Sequence, residues 1–143
     1  MKIKAEKIRY FILVVMVVIF AVLMCGVFGL NERLGFGRFS FTWLIIFAVS
    51  LIVLGIGEVI LGIKSKDGKL KKTFLILAGA SAACIPVFAI LHNVVYGLFF
   101  HGKEGDEAVF FILALLVCPV LFVIGSLGSF ICGVLNKPRM NPL

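Results

Sequence analysis

Residues 41–63 read FTWLIIFAVSLIVLGIGEVILGI, an apolar run in which Glu58 is the one charged side chain. An α-helix rises about 1.5 Å per residue and needs roughly 20 residues to cross about 30 Å of hydrocarbon, so this run is long enough to span a bilayer. Three uncharged apolar runs accompany it, at residues 10–30, 73–100 and 108–134. We therefore predict an all-α integral membrane protein with four transmembrane helices over these ranges.

The composition excludes a water-soluble globule. Hydrophobic residues make up 62% of the chain and the mean hydropathy is +1.21, whereas soluble domains are usually about 45–50% apolar. The segments outside the four runs have at most ten residues each, too few for a core of their own. The sequence therefore predicts that residues 1–143 form a single membrane domain.

The basic residues alternate between the two sides of the predicted bundle. Eleven lie in the two termini and the 64–72 segment, and three lie in the other two loops. By the positive-inside rule, this bias predicts a plasma-membrane protein with both termini in the cytoplasm. Because topology accounts for the net charge of +7 and no aromatic stacking platform lies beside the basic residues, nucleic acid is not an expected partner.

The 64–72 segment reads KSKDGKLKK and carries a turn signal at Asp67-Gly68 between two apolar runs. Lysines next to a membrane are attracted to anionic headgroups. We therefore expect the bilayer itself, and anionic lipids at this lysine loop, as partners. The lysines concerned are Lys64, Lys66, Lys69, Lys71 and Lys72.

Two halves of the sequence resemble each other. Residues 20–30 read FAVLMCGVFGL and residues 88–98 read FAILHNVVYGL, with six identities in eleven positions. Farther along, the repeat aligns Gly55 with Gly125. This pattern predicts two helical hairpins repeated in parallel about an axis along the membrane normal. Chance similarity among Phe, Leu, Val and Gly is the alternative.

Small residues concentrate in the cytoplasmic half of the predicted bundle, where they let helix backbones approach closely. Larger side chains dominate the outer half, and Pro86 and Pro119 lie at mid-span, where they can bend their helices. We expect a bundle that is narrow at the cytoplasmic side and splayed at the other.

Glu58 is the main candidate functional residue. Gly55 and Gly62 lie about one turn to either side of it on the same helix face. Depth counting places Ser129 at the level of Glu58 and two more serines about one turn deeper. The predicted binding cluster comprises Glu58, Ser81, Ser126 and Ser129, and it would act as a proton carrier or a cation site. The alternative is a neutral, hydrogen-bonded carboxyl, or one that reaches the lysine loop, and that fixes helix register.

A second polar feature lies in the outer half of the third run, about 20 Å in depth from Glu58. It comprises His92, Asn93 and Tyr96, with His101, Glu104, Asp106 and Glu107 in the following loop. The spacing matches no metal motif, so we expect interhelical hydrogen bonds and neither a metal nor a cofactor.

These features favour a non-enzymatic membrane protein: a small-solute or proton-coupled transporter, or an accessory subunit. A homo-oligomer or a larger membrane partner fits either role. The alternative is a membrane-embedded enzyme acting on a lipid, for which the sequence offers no Ser-His-Asp set, acidic metal motif or Gly-rich phosphate loop.

The chain resembles the small multidrug transporters in size, helix count and its one membrane glutamate. In that family the glutamate lies in the first helix, whereas Glu58 lies in the second. The strong charge bias also differs from the dual insertion of some members, so the resemblance does not assign the chain to that family.

Overall fold

The computed structural model describes residues 2–33, 35, 40–101 and 107–135. Four helices in this part of the chain are long and apolar enough to cross a membrane, and a short helix follows the first of them. This confirms the predicted all-α class and the four potential spans. The helices are α1 Lys2–Val27, the short α2 Leu30–Arg33, α3 Phe41–Ile63, α4 Lys69–Phe100 and α5 Val109–Leu135.

The ends of α1 differ from the apolar boundaries 10–30. The helix begins at Lys2, because lysine and glutamate are good helix formers. It ends at Val27, because Gly29 adopts a left-handed φ of 65° and turns the chain. The backbone N–H of Phe28 still donates to the carbonyl of Met24 at 3.0 Å, as in a glycine-terminated helix.

Helix α4 is the element to which the others attach. Helices α3 and α5 both pack along it, and α1 packs mainly against α3. Ring pairs join α1 to α5, with centroids 6.1 Å apart for Tyr10 and Phe130 and 4.7 Å apart for Phe20 and Phe122. The buried apolar core runs down the middle of these four helices and comprises Leu13, Met16, Leu23, Leu51, Leu75, Ala78, Ala82 and Phe122.

Two ends of the bundle carry different polar groups. The lysine end is the end with the 64–68 loop between α3 and α4. The histidine end is the opposite one, where α4 ends and α5 begins, with His92 and His101.

Glycines bring α3 and α5 into backbone contact with α4 in the half toward the lysine end. A methyl group added at Gly55 would lie 2.5 Å from the carbonyl oxygen of Gly79, and one added at Gly125 would lie 2.6 Å from the backbone nitrogen of Ala78. Side chains cannot approach backbone atoms this closely. The predicted repeat aligns Gly55 with Gly125, and both of these glycines pack against α4. The duplication itself stays a prediction.

Wide π-helical turns interrupt both helices of the second hairpin. One covers Tyr96–Phe100 at the histidine end of α4, and the other covers Leu113–Val117 within α5. The second turn ends two residues before Pro119, and Leu115, four residues before the proline, lies within it. A proline ring clashes with the carbonyl four residues earlier in a regular α-helix, and a local i→i+5 pattern relieves such a clash. Hydropathy carries no signal for these turns.

Replacing Gly55 by alanine tests the backbone contact between α3 and α4. The added methyl group meets Gly79 and Ala83, so the helices must separate, at a cost of about 1–3 kcal/mol in the free energy of unfolding. Gly57→Ala is the matched control, because nothing lies within 4 Å of the added carbon and alanine favours a helix. Unfolding in mild detergent measures both variants. Equal stability of the two variants would contradict the packing described here.

Candidate functional site

Glu58 lies in the centre of the bundle with no exposed surface. Neither of its carboxyl oxygens has a hydrogen-bond partner among the described residues. Buried carboxyl groups in proteins are normally hydrogen-bonded, because an unpaired polar group in an apolar interior costs free energy. Such an exception calls for a physical explanation.

The glycine contacts on α4 measure the depth of Glu58 in the bundle. Gly55 touches α4 at Gly79 and Gly62 touches it at Leu75 and Ile76, so Glu58 lies between these levels. Gly125 touches α4 at Ala78. Ser126 is the next residue after Gly125, and Ser129 lies one turn nearer the lysine end. Glu58 and these two serines therefore occupy one layer of the bundle.

The serines of this layer are also without partners. Ser129 has no exposed surface, Ser126 is 4% exposed, and neither hydroxyl oxygen has a hydrogen-bond partner among the described residues. Ser81 differs, because its hydroxyl donates to the carbonyl oxygens of Leu77 at 2.6 Å and Ala78 at 3.1 Å in its own helix. Of the predicted cluster, Glu58, Ser126 and Ser129 thus have side-chain oxygens without a hydrogen-bond partner among the described residues, and Ser81 is already satisfied.

Helix α1 contributes two more unpartnered groups that the sequence reasoning missed. The Nε atom of Arg9 and the hydroxyl oxygen of Tyr10 are buried without partners among the described residues. Arg9 lies within electrostatic reach of Glu58. The Tyr10 hydroxyl rests against Gly133, one turn beyond Ser129. All of these groups belong to the lysine-end half of the bundle.

An ionic network covers this layer at the lysine end. The Nη1 atom of Arg9 donates to Asp67 at 2.6 Å and to the hydroxyl of Ser65 at 2.5 Å, and that hydroxyl donates to Asp67 at 2.6 Å. Arg9 is 8% exposed. Partial burial of Asp67 opposes its ionisation, but the hydrogen bonds from Ser65 and Arg9 and the nearby positive charges hold the pKa of Asp67 below its usual range. The 64–68 loop is thereby tied to α1.

Lys71 belongs to this network. The sequence suggested that all five lysines of the 64–72 segment face outward, but the side chain of Lys71 turns inward. Its Nζ atom lies 2.8 Å from Glu6, 3.7 Å from Asp67 and 5.0 Å from the centre of the Tyr10 ring, and the residue is 5% exposed. Lys72 donates to the carbonyl of Ile63 at 2.7 Å, at the end of α3. Of the lysines in the 64–72 segment, Lys64, Lys66 and Lys69 are exposed.

A weak sequence signal for the network did exist. Arg9 is the last charged residue before the first apolar run, and Asp67 is the one acidic residue in the lysine loop. Their opposite charges fall at the same end of neighbouring helices. The partner of each charge depends on how the helices rotate about their axes, which the sequence pattern leaves open.

At the histidine end, His92 links α4 to the start of α5. Its Nδ1 atom lies 2.8 Å from the backbone carbonyl oxygen of Glu107 and 3.0 Å from its carboxylate. Glu107 also accepts the backbone N–H of Phe110 at 2.8 Å and so caps α5. Although desolvation opposes ionisation, the hydrogen bonds from Phe110, His92 and Val109 hold the pKa of Glu107 below its usual range. His92 therefore hydrogen-bonds to Glu107 in the loop before α5, whereas the sequence predicted a partner within another helix.

The other members of the second polar feature take different roles. Tyr96 begins the π-helical turn, with its ring centre 6.3 Å from that of His92. Asn93 donates to the carbonyl of Ala89 at 2.8 Å, one turn back in α4. Glu104 and Asp106 lie outside the described residues. Among the residues that are described, no three His, Cys, Asp or Glu side chains lie together as metal ligands would.

Asn93 is also the polar residue in the lining of a cavity of about 360 Å³. All four long helices contribute to this cavity, which occupies the half of the bundle toward the histidine end. Its walls are otherwise apolar. The apolar lining residues include Val27, Phe41, Ala48, Ile52, Ile85 and Ala89. The bundle is thus closely packed toward the lysine end and open toward the histidine end.

The pH dependence of stability tests the lysine-end network. Because the pKa of Asp67 is lowered in the folded protein, its stabilising effect is fully present above its ordinary pKa of 3.8 and is lost as the pH falls through the lowered value. Asp67→Asn should therefore be less stable at neutral pH, by up to about 1 kcal/mol, and should lose less stability in acid than the unsubstituted protein.

Unfolding in detergent at a series of pH values measures this difference. Glu32→Gln is the matched control, because Glu32 is an exposed carboxylate at the other end of the bundle. Acid profiles of Asp67→Asn and the unsubstituted protein that coincide would refute the stabilising role of the network.

Comparison of the chain with protein-family models, with curated proteins and with solved structures finds no match.

Proposed function

We propose that this protein is a small proton-coupled membrane transporter in which Glu58 is the proton-binding group. The observation that carries the proposal is the complete burial of a carboxyl group without a partner among the described residues. Moving a carboxylate out of water without compensation costs several kcal/mol. We infer that the Glu58 carboxyl holds a proton in this arrangement.

The neighbouring unpartnered groups support a second, ionised arrangement. Arg9 and Tyr10 on α1 and Ser126 and Ser129 on α5 each present a buried group that is able to donate a hydrogen bond. An ionised Glu58 on α3 is an acceptor that could use several of these donors. Loss of the proton would then draw α1 and α5 toward α3. Proton binding is in this way coupled to helix packing, which is the requirement for a proton-driven conformational change.

The lysine-end network provides the element that opens and closes. Arg9 takes part both in the buried layer and, through Asp67 and Ser65, in the network that separates this layer from water. A shift of Arg9 toward an ionised Glu58 would weaken its contacts with the 64–68 loop. Glu58 would then become accessible from the lysine end in one protonation state and remain enclosed in the other.

The charge bias of the sequence supports an orientation in the plasma membrane with the lysine end and both termini in the cytoplasm. In this orientation Lys64, Lys66 and Lys69, which are exposed, would face anionic headgroups. Protons would reach Glu58 from the cytoplasmic side through the Arg9 network.

Proton flux into sealed proteoliposomes tests the proposal. The vesicles contain a pH-sensitive dye, the membrane potential is clamped with potassium and valinomycin, and tetraphenylphosphonium serves as the probe solute. This lipophilic cation suits a carboxyl group that alternates between a proton and a positive charge in apolar surroundings. The unsubstituted protein should show proton flux that depends on the probe. Glu58→Gln should reduce this flux to the level of protein-free vesicles, because the amide of glutamine does not ionise as a carboxyl group does.

Glu32→Gln serves as the control, since it makes the same chemical change at an exposed position and should leave the flux unaltered. Size-exclusion profiles in detergent verify that both variants are folded. Probe-dependent flux that persists in Glu58→Gln, or flux that is absent from the unsubstituted protein, would overturn the proposal.

A further inference from the structure

The cavity at the histidine end runs along the helices for about the depth of one leaflet. Its lining on α3 begins at Phe41, the first residue of the helix, and ends at Ile52. Eleven residues of α-helix correspond to about 16 Å. Because the hydrocarbon of a bilayer is about 30 Å thick, the cavity extends from one interface to the middle of the membrane.

The same depth follows from α4. Gly55 contacts Gly79 and Ala83, so the antiparallel helices place Ile52 near residue 84 and Phe41 near residue 95. The cavity lining on α4 runs from Ile85 to Asn93, in agreement with this register. Asn93 therefore lies within about one turn of the beginning of α3, at the interfacial end of the cavity.

The polarity of the cavity walls changes along this length as the polarity of a lipid changes from its acyl chain to its headgroup. The deep part is lined by aliphatic side chains such as Ile52 and Ile85, and the amide of Asn93 lies near the mouth. Trp43, which is 53% exposed and stacks on Phe47 with ring centres 6.0 Å apart, marks the same level. Tryptophan is enriched where hydrocarbon meets headgroups.

We propose that this cavity binds one acyl chain of a membrane lipid from the leaflet at the histidine end. The chain would lie along α3 with its terminal methyl group near Ile52 and Ile85, and the ester group would accept a hydrogen bond from the Asn93 amide. A space of about 360 Å³ falls in the range of ligand sites. When the cavity is empty, the side chains that line it lack dispersion contacts on one side. A hydrocarbon chain in the cavity supplies these contacts.

The lining residues themselves favour a lipid over a water-soluble ligand. Phe41, Val49 and Ile90 line the cavity and are at the same time exposed on the outer surface of the bundle. In a bilayer that surface contacts hydrocarbon. An acyl chain can therefore enter sideways without leaving the membrane. This inference is independent of proton binding at Glu58, which lies in the other half of the bundle.

Photolabelling with a phosphatidylcholine that carries a diazirine in the middle of one acyl chain tests the assignment. The full-length protein is reconstituted in vesicles that contain the labelled lipid at low mole fraction, irradiated and mapped by peptide mass spectrometry. Adducts should concentrate on residues that line the cavity, which on α3 and α4 include Leu44, Ile45, Ala48, Val49, Ile52, Ile85, Ala89 and Ile90. Adducts should be about fivefold fewer at Val53, Ile56 and Ile60, which are exposed but outside the cavity.

Two alanine-to-phenylalanine variants provide the matched comparison. Ala89→Phe places a ring in the cavity and should lower adduct formation there about fivefold. Ala80→Phe makes the same change at an exposed position of α4 outside the cavity and should leave the pattern unchanged. Asn93→Leu removes the amide at nearly constant volume and should reduce labelling less than Ala89→Phe does.

Adducts spread evenly over all exposed faces, or a pattern that Ala89→Phe leaves intact, would overturn the proposal. A covalent dimer formed through Ala48 or Ala89 when diazirine amino acids replace these residues, with no lipid adduct, would assign the cavity to a second copy of the chain and would also overturn it. Circular dichroism of each variant verifies the helical fold before labelling.

Discussion

The backbone contacts of α3 and α5 with α4 are the constraint from which the rest of the structure follows. In hydrocarbon there is no hydrophobic force between helices, so association depends on close packing and on polar contacts. Gly55 and Gly125 allow this close packing toward the lysine end. Larger side chains and the wide turn at Leu113–Val117 occupy the other half. The bundle is consequently closed at one end and open at the other.

This asymmetry fits the two different kinds of site that we propose for so small a bundle. Close packing encloses Glu58 and shields it from both water and lipid. The looser half provides a long apolar cavity with Asn93 at its mouth. The ionic network of Arg9, Asp67 and Lys71 lies at the lysine end of the tight half. The His92–Glu107 contact secures the connection between α4 and α5 at the open half.

The sequence predicted the spans well, because hydropathy and length determine which segments can cross hydrocarbon. Counting residues from the helix ends also placed Glu58 and the serines of α5 in the same half of the bundle. The contacts put Ser126 between the levels that bracket Glu58, and Ser129 one turn nearer the lysine end. The small-residue pattern indicated which half is tight. The predicted positions of the helix ends were less accurate. Helix α1, for example, begins at Lys2, because charged residues extend it beyond the apolar run.

Side-chain partners were the part that the sequence could not supply. In a soluble helix, amphipathicity shows which face is buried, but the helices here are apolar on nearly all faces, so their rotation is set by packing alone. Ser81 therefore bonds to its own helix. Lys71 turns inward to Glu6, and Tyr10 enters the buried layer through contacts that hydropathy does not reveal.

The protonation state of Glu58 in a bilayer tests the account most directly. Infrared difference spectroscopy of the reconstituted protein, compared with Glu58→Gln, isolates the signal of this one carboxyl group. A carboxylic-acid carbonyl band at neutral pH that the substitution removes is the predicted result. A carboxylate band in its place would show that Glu58 is ionised in the resting protein, and would contradict the proposed proton-binding role of this buried carboxyl group.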